Sequence, residues 1–311
     1  MSTYTVRKTG QPFTPEYRAY IEQDGKVVSA WHDIPLYPEG EDNKNVLNMV
    51  VEIPRWSNAK MEIAKDDFLN PIKQDTKKGQ PRYVPNIFPH KGYPWNYGAL
   101  PQTWEDPSLT DPHTHKRGDD DPLDVCELGS DVASTGQVKQ VKVLGALAIL
   151  DQGETDWKII AIDVHDPLAS KIDCVADVER HMPTYLDVMK YWFRVYKVPD
   201  GKKENEIAMG AEVMDRNFAN TLIETSRASW KSLLKEPSTE HRDKSTLADI
   251  GIHDDEIVAH VSAQPASDEL HAHPNKAAMD RSYFLTTSAI AATAAAGPGR
   301  CGMMEAEVKG S

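Results

Sequence analysis

Cysteine is scarce in this sequence. The 311 residues include three cysteines, Cys126, Cys174 and Cys301, which are far apart and show no Cys-x-x-Cys spacing. This spacing argues against a disulfide framework and favours reduced thiols in a cytosol-like compartment.

Long hydrophobic runs are also missing. The longest strongly apolar run is Val143 to Leu150, which is far too short to cross a bilayer. The segment Met1 to Gly10 has neither the apolar centre of a signal peptide nor an Arg-rich amphipathic pattern. We therefore expect a cytoplasmic protein with no membrane partner.

Positive charge is in deficit. Lys and Arg number 35 against 48 Asp and Glu, which gives a formal net charge of −13. Because a nucleic-acid backbone requires a basic footprint, this balance argues against a nucleic-acid partner. It leaves open an anionic ligand held by a few basic residues together with metal ions.

The composition divides the chain in two. Residues 1–235 are rich in Trp and Tyr, with Pro and Gly in short turns, and predict one compact domain. From 236 to 311 Pro, Ser, His and Ala accumulate without sustained periodicity. We expect a C-terminal extension there, mostly mobile or disordered from about residue 262.

The early part of the chain predicts strands. Val50–Ile53 and Lys60–Ile63 are separated by a turn-like link, which predicts a hairpin. Val138–Leu150 and Asp156–Asp163 form a second predicted pair, joined by a Gly-containing turn.

Helical signals follow later. Pro183 can open a helix with apolar residues at helical spacing, and a second helix is predicted from about Ile207 to Leu234. Strands first and helices later favour an α+β fold that is mainly β, with a sheet or barrel core.

The most informative segment is an acidic one, Gly118–Val125, in which four carboxylates fall within six residues. A solvated acidic turn is the simplest interpretation, but Pro122 and Leu123 stiffen and partly bury the segment. An EF-hand is excluded because Leu123 and Asp124 would occupy its fifth and sixth positions. Clustered carboxylates repel one another, so oxygen ligands here favour Mg²⁺ or Mn²⁺.

Further charged residues alternate with apolar ones in the predicted hairpins. Asp151, Asp156 and Lys158 lie around the second hairpin turn, and Lys60 and Glu62 lie on the first hairpin. Such residues are most often the wet face of a sheet. Together with the acidic loop and nearby Lys and Arg residues, they also fit a polar cavity for a small polyphosphate.

Five ordered segments carry a resemblance to a known family. They are Val51–Ile63, Pro94–Gly98, Gly118–Val125, Leu150–Lys158 and Trp192–Lys197. The third resembles the D-x-D-P-x-D signature of soluble family I inorganic pyrophosphatases, and the other four resemble further motifs of that family. The similarity covers roughly residues 1–235 and is closest to the longer, fungal-like eukaryotic form.

This resemblance implies a five-stranded barrel of OB-like topology flanked by helices, with N- and C-terminal extensions. It also implies hydrolysis of inorganic diphosphate to two phosphates by a site with several Mg²⁺ ions, for which Mn²⁺ is a substitute. The implied nucleophile is a water that bridges two metal ions. The implied metal ligands are Asp119, Asp124, Asp156, Asp151 and Glu62.

The resemblance assigns the other site residues as well. Asp121 would orient and deprotonate the water. Glu52 would support the residues that bind metal and substrate without binding either itself. The implied catalytic residues are Asp121, Lys60, Arg82 and Tyr97. The implied substrate-binding residues are Arg82, Lys60, Lys158, Tyr196 and Lys197.

Two departures from the family pattern concern assembly and the C-terminus. Fungal relatives carry two histidines in FPHHG, whereas this chain has Lys91 at the second position. That position and Trp56 match the dimer contact of the fungal enzymes, so we expect a homodimer whose geometry Lys91 affects. Ser282 replaces the tryptophan of the usual terminal DKWFFI segment.

Two other classes of function remain open at this point. One is a catalytically inactive binding module with an OB-like fold. The other is a chromatin-associated scaffold, although the tail lacks a basic cluster.

Overall fold

The computed structural model describes residues 4–236, 243, 259, 261 and 276–285. Within these ranges no helix is both long enough and apolar enough to cross a membrane.

Strands account for most of the regular structure of the described residues. In chain order they are β1 (Tyr4–Thr9), β2 (Arg18–Gln23), β3 (Lys26–Val28), β4 (Leu47–Ile53), β5 (Met61–Ile63), β6 (Ile72–Gln74), β7 (Thr76–Lys77), β8 (Gln80–Pro81), β9 (Asn86–Ile87), β10 (Asn96–Ala99), β11 (Asp124–Glu127), β12 (Val138–Asp151), β13 (Glu154–Asp163), β14 (Glu206–Ile207), β15 (Met214–Asp215) and β16 (Ser282–Tyr283). The α-helices are α1 (Val175–His181), α2 (Tyr185–Val195), α3 (Arg216–Leu233) and α4 (Lys276–Asp280).

Five strands close on themselves into a ring. β4 pairs with β10, β10 with β11, β11 with β13, β13 with β12, and β12 returns to β4. β12 closes the ring because it is long enough to pair with β4 through Val138–Val141 and with β13 through Val141–Asp151. The predicted mainly β fold with a five-stranded ring is confirmed.

Close approach of β10 to β4 depends on a glycine. A Cβ atom on Gly98 would lie 2.0 Å from the carbonyl oxygen of Val50, a distance that no side chain tolerates. The register of the two strands shifts between Tyr97 and Gly98. Gly98 therefore lets β10 pack against β4, and the adjacent Tyr97 is fixed at this point of the ring.

The predicted hairpin between Val50–Ile53 and Lys60–Ile63 is wrong. β4 lies in the ring, whereas β5 pairs with β6 in a second sheet of order β1-β2-β6-β5, in which β3 also pairs with β2. Both edges of β4 are already occupied by β10 and β12, so no edge remains for β5. The link after β4 also bends away, since Trp56 adopts a φ of 65° and its N–H donates to the Tyr93 carbonyl at 2.8 Å.

The second predicted pair of strands is confirmed as the β12–β13 hairpin. Gln152 and Gly153 form its two-residue turn, both with positive φ, as tight hairpin turns require. Asp151 and Glu154 face each other across the end of the hairpin.

The first predicted helix is confirmed as α2. Its buried face includes Met189, Trp192 and Phe193, and the Trp192 ring lies 5.3 Å from Trp95 and 4.8 Å from Tyr93. Because this aromatic face is anchored in the core, the end of α2 is held against the ring of strands.

The second predicted helix begins later than expected. Residues 206–215 contain β14, a 3-10 turn at Met209–Ala211 and β15, and both strands pair with β12 along the edge that β13 does not occupy. Gly210 in the turn has a φ of 69°, which interrupts helical geometry. α3 then starts at Arg216, where the Asp215 side chain accepts a hydrogen bond from the Phe218 N–H at 2.8 Å.

Part of the predicted C-terminal extension is described. β16 pairs in parallel with β9, and the side-chain amides of Asn58 and Asn86 both donate to the Met279 carbonyl. Most of residues 237–311 lie outside the described residues, so the domain boundary and the mobility of the tail stay predictions.

The cap of α3 gives a stability prediction. Asp215→Ala removes the acceptor for the Phe218 N–H and is expected to lower the free energy of unfolding by about 1 kcal/mol. Asp215→Asn keeps a capping oxygen and serves as the matched control. Denaturant unfolding monitored by circular dichroism measures both, and equal losses in the two variants would contradict the assigned cap.

Candidate functional site

One polar cavity of about 190 Å³ gathers almost all of the predicted site residues. It opens where the ring, the second sheet and the end of α2 meet. The predicted residues on its wall are Lys60, Glu62, Arg82, Tyr97, Asp119, Asp121, Asp124, Asp151, Asp156, Lys158, Tyr196 and Lys197. Glu52 is the predicted residue that does not line it.

The strands of the ring place a buried ammonium group at the base of the cavity. Lys158 on β13 lies opposite Asp124 on the parallel neighbour β11, and Asp156 shares the Lys158 face because side chains alternate along a strand. The Lys158 ammonium ion-pairs with Asp124 and Asp156 and lies 2.9 Å from the Tyr97 hydroxyl. Tyr97 in turn donates to Asp124.

The two carboxylates bound by Lys158 titrate differently. Burial raises the pKa of Asp124, but the Lys158 and Lys60 ammonium groups oppose it and leave that pKa below its ordinary value. Burial raises the pKa of Asp156 to about 7, and the charge of Asp124 adds to that increase despite the Lys158 ammonium. Asp124 therefore holds the negative charge that anchors Lys158.

Two other carboxylates, those of Glu105 and Asp119, converge on Asp156 beside this ion pair. One carboxylate oxygen each from Glu105, Asp119 and Asp156 lies within 4.8 Å of the other two. Burial, followed by the mutual repulsion of neighbouring carboxylates, raises the pKa of Glu105 and of Asp119 well above their ordinary values. Such a cluster is unfavourable as three bare charges and favours a cation.

The donor set of this cluster fits Mg²⁺ or Mn²⁺. Among the described residues, Glu105 Oε2 and Asp151 Oδ1 are buried oxygens with no hydrogen-bond partner. A buried carboxylate oxygen without a partner is costly, and a hard cation with oxygen ligands would satisfy it. Glu62, whose pKa burial raises to about 7, adds a further oxygen on the cavity wall.

The acidic loop bends sharply before β11. Asp120 adopts a left-handed φ of 72°, and the Asp121 N–H donates to Asp119 at 3.1 Å. The loop orients its carboxylates in two ways, because Asp119 joins the buried cluster while the Asp121 side chain is 52% exposed and lines the cavity. A fully solvated acidic turn does not describe this segment.

Basic groups line the same cavity. The Arg82 guanidinium is fixed by Asp75 at 2.7 Å. Lys197 ion-pairs with Asp151, which the Tyr196 hydroxyl approaches at 3.4 Å. Burial lowers the pKa of Lys197.

Lys60 lines the cavity beside Tyr97. Its ammonium is 5.5 Å from the centre of the Tyr97 ring. Burial alone would lower its pKa, but Tyr93, Glu62 and Asp124 raise the pKa above the ordinary value, so Lys60 remains a cation.

Glu52 lies behind the cavity wall. Its carboxylate accepts a hydrogen bond from the Ile63 N–H at 2.8 Å, and burial raises its pKa to about 8. It thereby connects β4 to β5 just beyond Glu62.

Sequence patterns missed two members of the site. Glu105 follows Trp104 in a segment without periodicity, and its role depends on main-chain hydrogen bonds with Asp120 and Asp121. Tyr93 lines the cavity with its ring 4.8 Å from that of Tyr97. In both cases the signal is a long-range contact, which a single sequence does not contain.

Comparisons with known proteins agree with this geometry. Residues 49–231 match the family described as inorganic pyrophosphatase. The chain is 51% identical over 288 residues to the inorganic pyrophosphatase of Emericella nidulans, covering 93% of this chain and 100% of that protein.

Solved structures give the same result. The inorganic pyrophosphatase of Schistosoma japonicum matches with a TM-score of 0.79 and 39% identity, over 91% of this chain and 100% of that one. A truncated Trypanosoma cruzi vacuolar soluble pyrophosphatase, solved in complex with PPi, matches with a TM-score of 0.70 and 40% identity, over 76% of this chain and 93% of that one. The chain belongs to the inorganic pyrophosphatase family.

Proposed function

We propose that this cavity hydrolyses inorganic diphosphate to two phosphates with the help of several Mg²⁺ ions, which Mn²⁺ can replace. The observation that carries the proposal is the convergence in one cavity of a buried carboxylate cluster with several lysine and arginine side chains. The Trypanosoma cruzi relative solved with PPi supports the choice of substrate.

The basic side chains that line the cavity would bind the phosphoryl groups. Arg82, Lys60 and Lys197 present cationic groups there, and Arg82 is held in place by Asp75. Lys158 is engaged with two carboxylates, so we propose that it orients these and the Tyr97 hydroxyl toward the substrate. The Tyr196 hydroxyl would donate a hydrogen bond to a phosphoryl oxygen.

The carboxylate side chains of the site would hold the metal ions. We propose Asp119, Asp124, Asp156, Asp151 and Glu62 as ligands. Glu105 joins them because it belongs to the same cluster as Asp119 and Asp156 and has a buried oxygen without a hydrogen-bond partner. Bound divalent cations would neutralise phosphate charge and lower the pKa of a bound water to near neutrality. Glu52 would keep Glu62 in position through β5.

Asp121 is proposed as the general base. Hydrolysis breaks the P–O bond to the bridging oxygen and requires a proton to leave the attacking water. Asp121 is the carboxylate of the acidic loop that is most open to the cavity, while Asp119 is committed to the cluster. It is therefore placed to accept that proton.

The proposed reaction gives a direct prediction. Purified protein should release phosphate rapidly from diphosphate with Mg²⁺, release should stop with excess EDTA, and ATP should be a poor parallel substrate. A colorimetric phosphate assay measures all three. A folded protein that releases no phosphate would instead support the binding-module alternative.

The proposed base gives a second prediction. Asp121→Asn should lower kcat by about 100-fold or more, with KM changed by less than about threefold, because the proposed base would contact the attacking water and not the phosphoryl groups. Asp187→Asn is the control, since Asp187 lies outside the cavity, its side chain is 76% exposed and it pairs with Lys190 on the same helix. An Asp121→Asn protein with unchanged kcat would remove Asp121 from the mechanism.

We also propose that the chain forms a homodimer in the cytoplasm. Trp56, Phe88 and Phe284 are large apolar residues that are 57%, 60% and 47% exposed, and the rings of Phe88 and Phe284 stack at 5.1 Å. Exposed Lys91 lies three residues after Phe88. Apolar patches of this kind are typical of interfaces. Analytical ultracentrifugation should give twice the mass of one chain, and a mass of one chain would contradict the proposal.

A further inference from the structure

Asp121 stands at the wall between two cavities. Both it and Glu62 line the 190 Å³ site and a neighbouring cavity of about 510 Å³. A carboxylate that faces space on both sides can rotate away from the substrate unless another group holds it. Its orientation is therefore a requirement of the proposed reaction.

Lys65 contacts this carboxylate directly. The Lys65 ammonium lies 2.6 Å from Asp121 Oδ1, 2.7 Å from the Asp120 carbonyl and 3.2 Å from Asp120 Oδ2. One cation thus binds three oxygens of two successive residues. Three donors on one ammonium match these three acceptors.

The backbone around Asp121 is fixed independently of Lys65. The Asp120 N–H donates to the Glu105 carbonyl at 3.0 Å, and the Glu105 N–H donates to the Asp121 carbonyl at 2.8 Å. The Trp104 indole N–H donates to Asp120 Oδ1 at 2.9 Å. Removing the Lys65 charge should therefore leave the loop in place and release mainly the Asp121 side chain.

The position of Lys65 is itself well defined. It follows β5 by two residues, and the Ala64 N–H donates to the Pro71 carbonyl at 2.8 Å. Its own carbonyl accepts from the Asn70 side chain at 3.3 Å. Because β5 also carries Glu62, the same strand positions two groups at the wall between the cavities.

We propose that Lys65 is a positioning residue for Asp121: by holding Asp121 Oδ1 at the wall between the two cavities, it fixes the orientation of the carboxylate that the diphosphate cavity shares. This inference rests on the proposed function of Asp121 as the base. Lys65 lines the larger cavity and not the smaller one, so it acts through Asp121 and not by binding substrate.

A double-mutant cycle tests the inference. Lys65→Met should lower kcat about tenfold with KM changed less than about twofold, and Lys65→Arg should restore most of kcat. In the Asp121→Asn background, Lys65→Met should cause no further loss, because the group it positions is already altered. Lys65→Gln replaces Lys65→Met if the latter does not fold.

The control is Lys73→Met. Lys73 lines the same larger cavity and ion-pairs with Asp66 and Asp67, so its loss removes an equivalent charge without touching Asp121. The kcat of the Lys73→Met protein should equal that of the unaltered chain. Circular dichroism checks that all variants fold.

The outcomes separate this inference from the function it rests on. The positioning role alone is overturned if Lys65→Met has the same kcat as Lys73→Met. It is also overturned if Lys65→Met lowers kcat by the same factor in the Asp121→Asn background as in the unaltered chain. An Asp121→Asn protein with full activity overturns the proposed base and this inference together.

Discussion

The buried ammonium of Lys158 is the contact on which the site depends. It lies between Asp124 and Asp156 and beside the Tyr97 hydroxyl, so it links the three strands β11, β13 and β10. Removing one member of such a buried pair leaves an uncompensated charge, which is strongly destabilising. Lys158 is therefore required to keep Asp124 and Asp156 close together inside the ring of strands. A single ammonium group cannot also neutralise Glu105 and Asp119.

The carboxylates that Lys158 does not neutralise account for the proposed metal ions. Glu105, Asp119 and Asp156 bring oxygens within 4.8 Å. Burial is the main cause of the raised pKa of each, and the charges of neighbouring carboxylates add to it, although the Lys158 ammonium opposes the increase. Family membership and the unpaired oxygens of Glu105 and Asp151 point to cations as the missing compensation. The same cations would allow diphosphate, which bare carboxylates repel, to bind in the cavity that Arg82 also lines.

Local patterns predicted the parts of the fold that local forces determine. The β12–β13 hairpin and α2 follow from alternation, turn chemistry and helical spacing. The β4–β5 hairpin was wrong because pairing inside a closed ring is decided by distant strands, and α3 starts late because β12 offers an edge to residues 207–215. The ring itself was predicted from family resemblance and not from periodicity. In the site, a linear acidic run identified Asp119 and Asp121, whereas Glu105 is brought to them only by folding.

Thermal unfolding with and without Mg²⁺ tests most directly the claim that divalent cations compensate the carboxylate cluster. Saturating Mg²⁺ should raise the Tm of the unaltered chain by roughly 5 °C or more. Glu105→Gln keeps the acceptor for the Trp157 N–H but cannot ionise, so it should raise the Tm without metal and reduce the gain from Mg²⁺. A Tm that does not respond to Mg²⁺, or an equal gain in both proteins, would contradict the account.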